Sequence, residues 1–259
     1  MRGILLPLLL ALSFFVKAAE GPATNNLRVM TYNIHHGQGA DGKIDLERIA
    51  AIIKTQQVDI VALQEVDSGT LRVTRRDLPA ELSKLTGLNA CFGKNIEYQG
   101  GGYGTAVLSR FPILEMTNLH YQMMHPHEQR GLLQAVLDLG GRKILLLNTH
   151  LDYHNDDAER VQDVKAIKAA IDSRTNMPVI LCGDFNEGPG SRTHNRLSEF
   201  LADTWKEIGN GSGFTFSSSA PWQRIDFIWH SRHLRALKTA VIKTNASDHL
   251  PVVAEFSLE

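Results

Sequence analysis

Short apolar runs, most of them bounded by glycine, proline or acidic residues, dominate the chain and are typical of β-strands. Longer stretches between some of these runs repeat apolar residues every three or four positions, which predicts amphipathic helices. The predicted strands cover residues 27–34, 58–66, 90–96, 104–109, 113–120, 131–139, 143–150, 179–183, 225–229, 236–243 and 252–256. The predicted helices cover residues 45–57, 78–86, 156–173 and 191–200.

Helix boundaries and faces follow from single residues. Asp45 is a suitable N-cap for the first helix, and Gly87 ends the second. The third helix is expected to be strongly amphipathic, with one buried apolar stripe. That stripe consists of Val161, Val164, Ile167 and Ile171.

The mixture of many strands and few helices predicts an α/β fold in which two sheets pack together and helices cover their outer faces. The chain has 259 residues, and 43% of them are hydrophobic, which is enough for one large core. Layered domains of this length often form a single unit, so we expect one domain over residues 27–259.

The first residues have a different character. Arg2 precedes an apolar run from Ile4 to Val16, and Ala18 offers a small side chain at a cleavage point. This pattern predicts a cleavable secretory signal peptide over residues 1–18, followed by a flexible lead-in over residues 19–26. The run is short for a transmembrane helix, although an uncleaved membrane anchor is the alternative. We expect a secreted or periplasmic protein without a stable membrane span after cleavage.

Charge and cysteine content narrow the function. Removal of the signal segment would shift the formal net charge from −1 to about −3, whereas proteins that bind nucleic acid tightly usually carry a basic surplus. Cys91 and Cys182 are the two cysteines, and no Cys/His spacing predicts a structural zinc site. Cys182 lies within an apolar run and is expected to be a buried free thiol.

Six short segments place polar side chains at the ends of predicted strands. They cover residues 31–34 (TYNI), 63–66 (LQEV), 148–151 (NTHL), 183–186 (GDFN), 224–227 (RIDF) and 247–249 (SDH). Carboxylate and amide oxygens suit a hard cation such as Mg²⁺. Histidines can donate a proton or stabilise an anionic transition state, and a carboxylate behind a histidine fixes its tautomer. The strand ends are therefore predicted to converge on one site.

Taken together and in this order, the segments resemble the endonuclease/exonuclease/phosphatase superfamily, which includes deoxyribonuclease I, apurinic endonucleases, inositol polyphosphate 5-phosphatases and bacterial sphingomyelinases. The resemblance covers about residues 27–256, and residues 31–42 are most similar to its uncharacterised bacterial branch. It implies a four-layer α/β/β/α sandwich of the deoxyribonuclease I type, with the site at one end of the paired sheets.

The resemblance implies a metal centre. Glu65 is expected to be the principal Mg²⁺ ligand, with Asn33 and Asp248 beside it, and Mn²⁺ is an alternative ion. The bound ion would neutralise charge on the phosphoryl or leaving oxygen. Whether one or two ions act is left open.

The resemblance also implies catalytic roles for five matching residues. Asp184 is expected to orient or deprotonate the attacking water, and Asn186 to hold the water and the phosphate. His249, held by Asp226, and His150 are expected to contact the phosphate from opposite sides.

Several further residues have two interpretations each. Tyr103 and Arg130 are candidate contacts for a substrate phosphate, but a loop aromatic that packs on its neighbours and a surface ion pair fit equally well. His35 and His36 are expected to be solvated loop residues. The basic cluster formed by Arg72, Arg75 and Arg76 could bind a second phosphate or a headgroup, although such clusters usually form a solvated face. His125 and His127 suggest zinc, yet no third ligand is spaced to complete a site.

Three functions compete. A phosphodiesterase or phosphatase acting on a small or lipid-derived phosphoester is favoured, because some members of the bacterial branch are thought to act on lipid-linked or inositol phosphates. A nuclease acting outside the cytoplasm would need a basic groove, which the composition disfavours. A catalytically dead binding protein would lack a catalytic Glu, Asp or His, and none is missing. Trp222 is the best candidate for membrane contact, and the alternative is a hydrophobic plug beside Asp226. Oligomeric state is not predicted.

Overall fold

The computed structural model describes residues 26–258. The predicted signal peptide and nearly all of the predicted lead-in lie outside the described residues. Two six-stranded sheets form the centre of the molecule, and the α/β/β/α sandwich expected from the sequence is confirmed. Among residues 26–258, no helix is both long enough and apolar enough to span a membrane.

The first sheet has the strand order β11-β12-β1-β2-β4-β3, and the second has the order β5-β6-β7-β8-β10-β9. Each sheet contains one parallel pair, β1 with β2 and β7 with β8, and all other neighbouring pairs are antiparallel. The strands are β1 (Asn26–Asn33), β2 (Ile60–Ser68), β3 (Asn89–Tyr98), β4 (Gly101–Ser109), β5 (Ile113–His120), β6 (Gly131–Asp138), β7 (Lys143–His150), β8 (Val179–Asp184), β9 (Ala202–Asp203), β10 (Asp226–His230), β11 (Arg235–Val241) and β12 (Val252–Ser257).

Residues 26–258 contain five α-helices. They are α1 (Leu46–Thr55), α2 (Leu78–Thr86), α3 (Ala158–Asp172), α4 (Arg192–Leu197) and α5 (Thr204–Ile208). Helices α1 to α4 cover the outer faces of the sheets, while Trp205 of α5 packs against the apolar cluster between them. Asp45 caps α1 by accepting a hydrogen bond from the Arg48 amide, and Gly87 ends α2 in the left-handed conformation, as predicted.

Three apolar clusters account for the four layers. One lies between the sheets, one between the first sheet and helices α1 and α2, and one between the second sheet and helices α3 and α4. Side chains alternate across each strand, so Ile180 and Cys182 of β8 enter the central cluster while Val179 and Leu181 pack towards α3. Cys182 is a buried free thiol, as expected, and Cys91 is also free.

Helix α3 differs from the prediction. Val164 and Ile167 are buried, but Val161 and Ile171 are only partly so, and the buried face also includes Glu159, Arg160 and Asp163. Burial raises the pKa of the Asp163 carboxyl to about 8. The sequence predicted an apolar stripe, whereas tertiary contacts bury a mixed one.

The region before β10 was also only partly predicted. The short strand β9 and helix α5 were missed, because their two and five residues are too few to show a period. The glycine-rich segment before Tyr103 was expected to form a loop. Instead, it belongs to β4 and pairs with β2 and β3.

Candidate active site

The candidate site lies where the carboxyl ends of the parallel strands meet. Strand β1 ends at Asn33, β7 at His150 and β8 at Asp184. In the second sheet His150 is in register with Asp184, and Asp184 is in register with Asp226. The pairing therefore places three of the predicted functional residues side by side on adjacent strands.

Glu65 reaches the site because of an irregularity in β2. The pairing of β2 with β4 shifts between Leu63 and Val66, and Glu65 has a positive φ of 55°. Such a bulge re-aims one side chain relative to strict alternation. The Asn148 side chain occupies the gap, because its amide nitrogen donates to the carbonyl oxygens of Leu63 and Ala106 at 2.9 Å each.

The Asp184 carboxylate is the centre of the site. Its Oδ2 accepts a hydrogen bond from Asn33 Nδ2 at 3.0 Å and lies 3.5 Å from His150 Nε2 and 3.6 Å from His249 Nε2. Its Oδ1 accepts the backbone N–H of Asn186 at 3.0 Å. Burial first, and then the neighbouring Asp226, raise the pKa of the Asp184 carboxyl. A carboxylate with a raised pKa can take up a proton near neutral pH, as a general base must.

His249 is held by a carboxylate on its far side. Its Nδ1 donates to Asp226 Oδ2 at 2.9 Å, while its Nε2 faces Asp184. Because carboxylates only accept, this arrangement favours a proton on both ring nitrogens. Burial opposes the charge, but Asp226 and Asp184 outweigh it and raise the pKa of His249 to about 10.

His150 has the opposite environment. Arg130 Nη1 lies 3.0 Å from His150 Nδ1, and a guanidinium can only donate, so this nitrogen accepts. Neutral His150 therefore carries its proton on Nε2, the atom that faces Asp184. Burial first, and then Arg130, lower the pKa of His150 well below its usual value.

Asn33 and Asn186 hold the carboxylates in place. Asn33 donates its amide hydrogens to both Glu65 and Asp184, while its oxygen accepts the backbone N–H of His35. Asn186, at a positive φ of 52°, donates its amide to the carbonyl of Leu151. In this arrangement Asn33 bridges the carboxylates, and ligation through its oxygen would require its amide to turn.

One wall of a cavity of about 410 Å³ is formed by Glu65, His150, Asp184, Asn186 and His249. Arg130 is buried, not exposed, and it pairs with Glu128 at 2.6 Å within the cavity wall. Tyr103 is also buried and faces the same space. Both predicted phosphate contacts thus lie beside the site. The full lining consists of Glu65, Arg72, Ile96, Tyr98, Tyr103, Glu128, Arg130, His150, Tyr153, Asp184, Asn186, Phe216, Asp248 and His249.

Sequence reasoning missed five members of this lining, namely Ile96, Tyr98, Glu128, Tyr153 and Phe216. Two of them had a usable signal, because Tyr153 follows His150 in the same strand-end loop and Glu128 stands two residues before Arg130. Tyr98 and Phe216 come from segments that carry no predicted motif, so only the tertiary fold brings them to the cavity.

All three arginines of the basic cluster, Arg72, Arg75 and Arg76, form hydrogen bonds or ion pairs within the protein. Arg72 donates to the buried Asp67 at 2.6 and 2.8 Å and stacks on Tyr98 and Tyr103, and it alone of the three lines the cavity. Arg75 donates to three backbone carbonyls, and Arg76 pairs with Glu81. The cluster is therefore not a free phosphate site, although Arg75 remains exposed to solvent.

The remaining ambiguous side chains have defined surroundings in the fold. His36 is buried, contrary to the expectation of a solvated loop residue, while His35 is partly exposed. Trp222 is 59% exposed and is not a plug beside Asp226. Residues 26–258 contain two groups of three side chains that could bind a metal ion, and within each group the potential ligand atoms lie within 4.8 Å of one another. Neither group includes His125 or His127.

Residues 30–249 match the model of the Endonuclease/Exonuclease/phosphatase family. The chain belongs to this family. Its members are phosphoesterases and nucleases, so the family assignment supports hydrolysis of phosphate esters as the reaction class.

Curated relatives within the family include YbhP of Escherichia coli, which is 27% identical over 90% of this chain and 97% of its own length. A 5′-tyrosyl-DNA phosphodiesterase of Caenorhabditis elegans is also 27% identical, over 78% of this chain and 54% of its own length. Among solved structures, a family protein from Beutenbergia cavernae superposes with a TM-score of 0.79 at 25% identity, covering 90% of this chain and 72% of that one. The mannosyl-6-phosphatase of Bacteroides thetaiotaomicron superposes with a TM-score of 0.77 at 19% identity, covering 89% and 99%, and shows the shared fold.

The family generally requires a divalent metal, and the donor groups of this site fit one. The carboxylates of Glu65 and Asp248 line the cavity, and the Asp248 side chain remains 41% exposed and accessible to an ion. The two compact ligand groups are His35, His36 and Glu65 on one side and Asp184, Asp226 and His249 on the other. Because Asp226 and His249 already neutralise each other, the Glu65 group is the better candidate for the metal.

Proposed function

We propose that this protein is a Mg²⁺-dependent hydrolase of phosphate esters that acts as a phosphodiesterase on a small or lipid-derived phosphodiester. One observation carries the proposal. A single buried carboxylate, Asp184, lies between two imidazoles in opposite environments and shares the Asn33 amide with Glu65. This arrangement provides a base, a cation, a neutral donor and a metal ligand at one cavity wall.

The residues have complementary roles in the proposed reaction. Asp184 accepts the proton of the attacking water, because its raised pKa suits a base near neutral pH. His249, protonated and held by Asp226, stabilises the negative charge that develops on the phosphoryl oxygens. His150 donates its Nε2 proton to the same group as a neutral donor.

Asn33, Glu65 and Asp248 complete the proposed centre. Glu65 and Asp248 would hold the metal, and Asn33 keeps Glu65 at a fixed distance from Asp184. When bound, the ion supplies Lewis-acid stabilisation of phosphoryl charge. Asn186 positions Asp184 through its backbone N–H and leaves its own side chain tethered to Leu151.

The charge of the cavity supports a small substrate. Four carboxylates line it, and its two arginines pair with Asp67 and Glu128. A polyanion such as nucleic acid gains affinity from cations that are free to contact its phosphates. A cavity lined by carboxylates and paired arginines therefore attracts a long phosphate backbone only weakly. A single phosphodiester needs contacts only with Asp184, His150, His249 and the metal.

Exposed apolar side chains near the cavity support a lipid-derived substrate. Tyr153, 61% exposed, lines the cavity itself, and Leu71, 58% exposed, precedes the lining residue Arg72. Trp222 donates its backbone N–H to the carbonyl of the lining residue Phe216. Exposed apolar groups around one site often mark contact with an apolar ligand or surface.

A nuclease is the second candidate, and one observation favours it. The 27% identical relative from Caenorhabditis elegans is a 5′-tyrosyl-DNA phosphodiesterase. The two proposals differ in the expected response to long DNA. A catalytically dead binding protein is the least favoured candidate, because the catalytic side chains are present and in contact.

The test is hydrolysis by the mature chain, with the Asp184→Asn variant prepared in parallel as the blank. Bis-p-nitrophenyl phosphate, phospholipid vesicles and supercoiled plasmid are each assayed with Mg²⁺ and with excess EDTA at physiological salt. We expect EDTA-sensitive hydrolysis of the first two and little plasmid cleavage. Activity that survives EDTA would contradict the metal requirement, and robust plasmid cleavage would favour the nuclease.

We also propose that the chain is exported, with cleavage after Ala18, to the periplasm or the medium. Support comes from the charged start and the apolar run in the sequence. Mass spectrometry of the protein recovered from a secreting host tests this proposal. A mature chain that begins at Ala19 is expected, and a chain that retains Arg2 would contradict it.

A further inference from the structure

The segment after β1 brings two histidines beside the proposed metal ligand Glu65. His35 and His36 form a 3-10 turn directly after Asn33 and Ile34, and both have positive φ, 43° and 45°. Non-glycine residues rarely adopt this conformation, and it is often found where side chains serve a ligand. Glu65 also has a positive φ, so three neighbouring side chains are held in unusual directions.

The three side chains converge. One ring nitrogen of His35, one of His36 and one carboxylate oxygen of Glu65 all lie within 4.8 Å of one another. The two imidazole rings meet edge to face with their centroids 4.4 Å apart. This spacing lies within reach of a single ion after small side-chain adjustments.

The second observation is an unpartnered atom. His36 is 8% exposed, and its Nδ1 is buried without a hydrogen-bond partner among the described residues. Buried polar atoms are nearly always paired, and an exception often marks a missing ligand or ion. A metal ion bound through Nδ1 would satisfy this nitrogen.

The charges that act on the two histidines do not exclude an ion. The charge of Arg72 opposes protonation of His36, but two Arg72 nitrogens donate to Asp67, whose carboxylate offsets the guanidinium charge. Asp248 adds a carboxylate, with Oδ1 3.9 Å from His35 Nδ1. The nearby carboxylates therefore offset the charge of Arg72, and a divalent cation can bind among the three ligands.

From this geometry we propose that His35 and His36 supply imidazole nitrogens to the ion held by Glu65, so that the centre accepts Mg²⁺ but binds Mn²⁺ more tightly than the oxygen ligands alone would. This inference rests on the proposed function and adds two ligands to its metal centre. Mg²⁺ strongly prefers oxygen ligands, whereas first-row transition ions also bind imidazole. Loss of the two imidazoles should therefore weaken Mn²⁺ binding more than Mg²⁺ binding.

Direct detection of nitrogen ligands tests the proposal without turnover. Mn²⁺ is added to the metal-free mature protein, and electron spin echo envelope modulation reports nitrogen bound to the ion. Imidazole coupling is expected in the wild type and should be lost in the His35→Gln/His36→Gln double variant. The exposed His125→Gln variant is the matched control and should keep it. Absence of nitrogen coupling in the wild type would overturn the proposal, and this outcome depends on no variant.

Calorimetry adds a second readout. We expect Mn²⁺ to bind the wild type about tenfold or more tightly than it binds the double variant, with little change in Mg²⁺ affinity. Equal affinities of the two proteins for Mn²⁺ would also overturn the proposal. Bis-p-nitrophenyl phosphate is then assayed with the Mn²⁺-loaded wild type. Lack of hydrolysis there would count against the proposed function alone, because the ligand measurements do not depend on it.

Discussion

Two histidines flank Asp184 at nearly equal distances, yet their surroundings are opposite. His150 Nε2 lies 3.5 Å and His249 Nε2 lies 3.6 Å from the same carboxylate oxygen, and both side chains are almost fully buried. Behind His150 stands the guanidinium of Arg130, and behind His249 stands the carboxylate of Asp226. Burial and the shared carboxylate are common to both rings, so the far partner is what makes the charge of one ring differ from that of the other.

This difference divides the work of the site. The pKa of His150 is lowered by burial and then by Arg130, so the ring stays neutral at physiological pH. For His249, burial acts in the same direction, but Asp226 and then Asp184 outweigh it and raise the pKa to about 10. One side of Asp184 thus offers a neutral donor and the other a cation. The following predictions separate these two contributions.

The largest effect is expected at the shared carboxylate. Asp184→Asn keeps the shape and the contact with the Asn186 amide but removes the base, so kcat should fall about 10⁴-fold. The assay is hydrolysis of bis-p-nitrophenyl phosphate, with an unchanged melting temperature as evidence of folding. Activity within tenfold of the wild type would exclude Asp184 as the base.

A slightly smaller loss is expected at the cationic side. His249→Gln retains a neutral donor but no charge, and kcat should fall about 10³-fold because charge on the phosphoryl oxygens is no longer offset. His249→Leu should be almost equally impaired. If the glutamine variant recovers most of the activity, then the role of His249 does not depend on its charge.

Removal of the far carboxylate should make the cation depend on pH. In Asp226→Asn the pKa of His249 falls from about 10, because the largest source of the increase is lost. The ring then loses its proton as the pH rises through the physiological range. Activity of the variant should therefore decline between about pH 6.5 and 8 relative to the wild type, and parallel profiles would contradict this.

At His150, a glutamine amide should partly replace the neutral imidazole as a hydrogen-bond donor. His150→Gln is expected to lower kcat about tenfold and His150→Leu about 10²-fold, since only the leucine lacks an N–H donor. Equal losses in the two variants would show that His150 acts by a means other than neutral hydrogen-bond donation. At His249, by contrast, glutamine and leucine should lower kcat almost equally. The ratio of kcat between the glutamine and leucine variants therefore distinguishes the two histidines most clearly.

The smallest effect is expected at Arg130. Arg130→Met removes the donor to His150 Nδ1 and allows the other tautomer, at a cost of about tenfold in kcat, equivalent to one hydrogen bond. Nitrogen chemical shifts of His150 should show a mixture of tautomers. Retention of a single Nε2–H tautomer in the variant would show that another group orients the ring.

The sequence was informative where strand ends carry the chemistry. Apolar runs that end in Asn33, His150 and Asp184 predicted both the strands and their convergence, because parallel neighbours terminate at the same edge. The roles assigned to these residues remain predictions, although the structure brings them into contact.

Partners across strands were not predictable in the same way. Arg130 immediately precedes β6 and His150 ends β7, so their contact depends on an antiparallel register that the sequence does not show. The bulge in β2 likewise cannot be read from alternation, although it turns Glu65 into the site. Helix α3 buries Arg160 against the expected polarity, because tertiary ion pairs with Asp152 and Glu187 override the apolar period.

The most direct test of the account is a nitrogen NMR titration of both rings in metal-free protein labelled at histidine, from about pH 5.5 to 8. The account predicts that His249 carries protons on both nitrogens throughout and that His150 remains neutral with its proton on Nε2. Assignment comes from the His150→Gln and His249→Gln variants. If the two rings titrate together, or if His150 is the charged one, the division of roles around Asp184 is wrong.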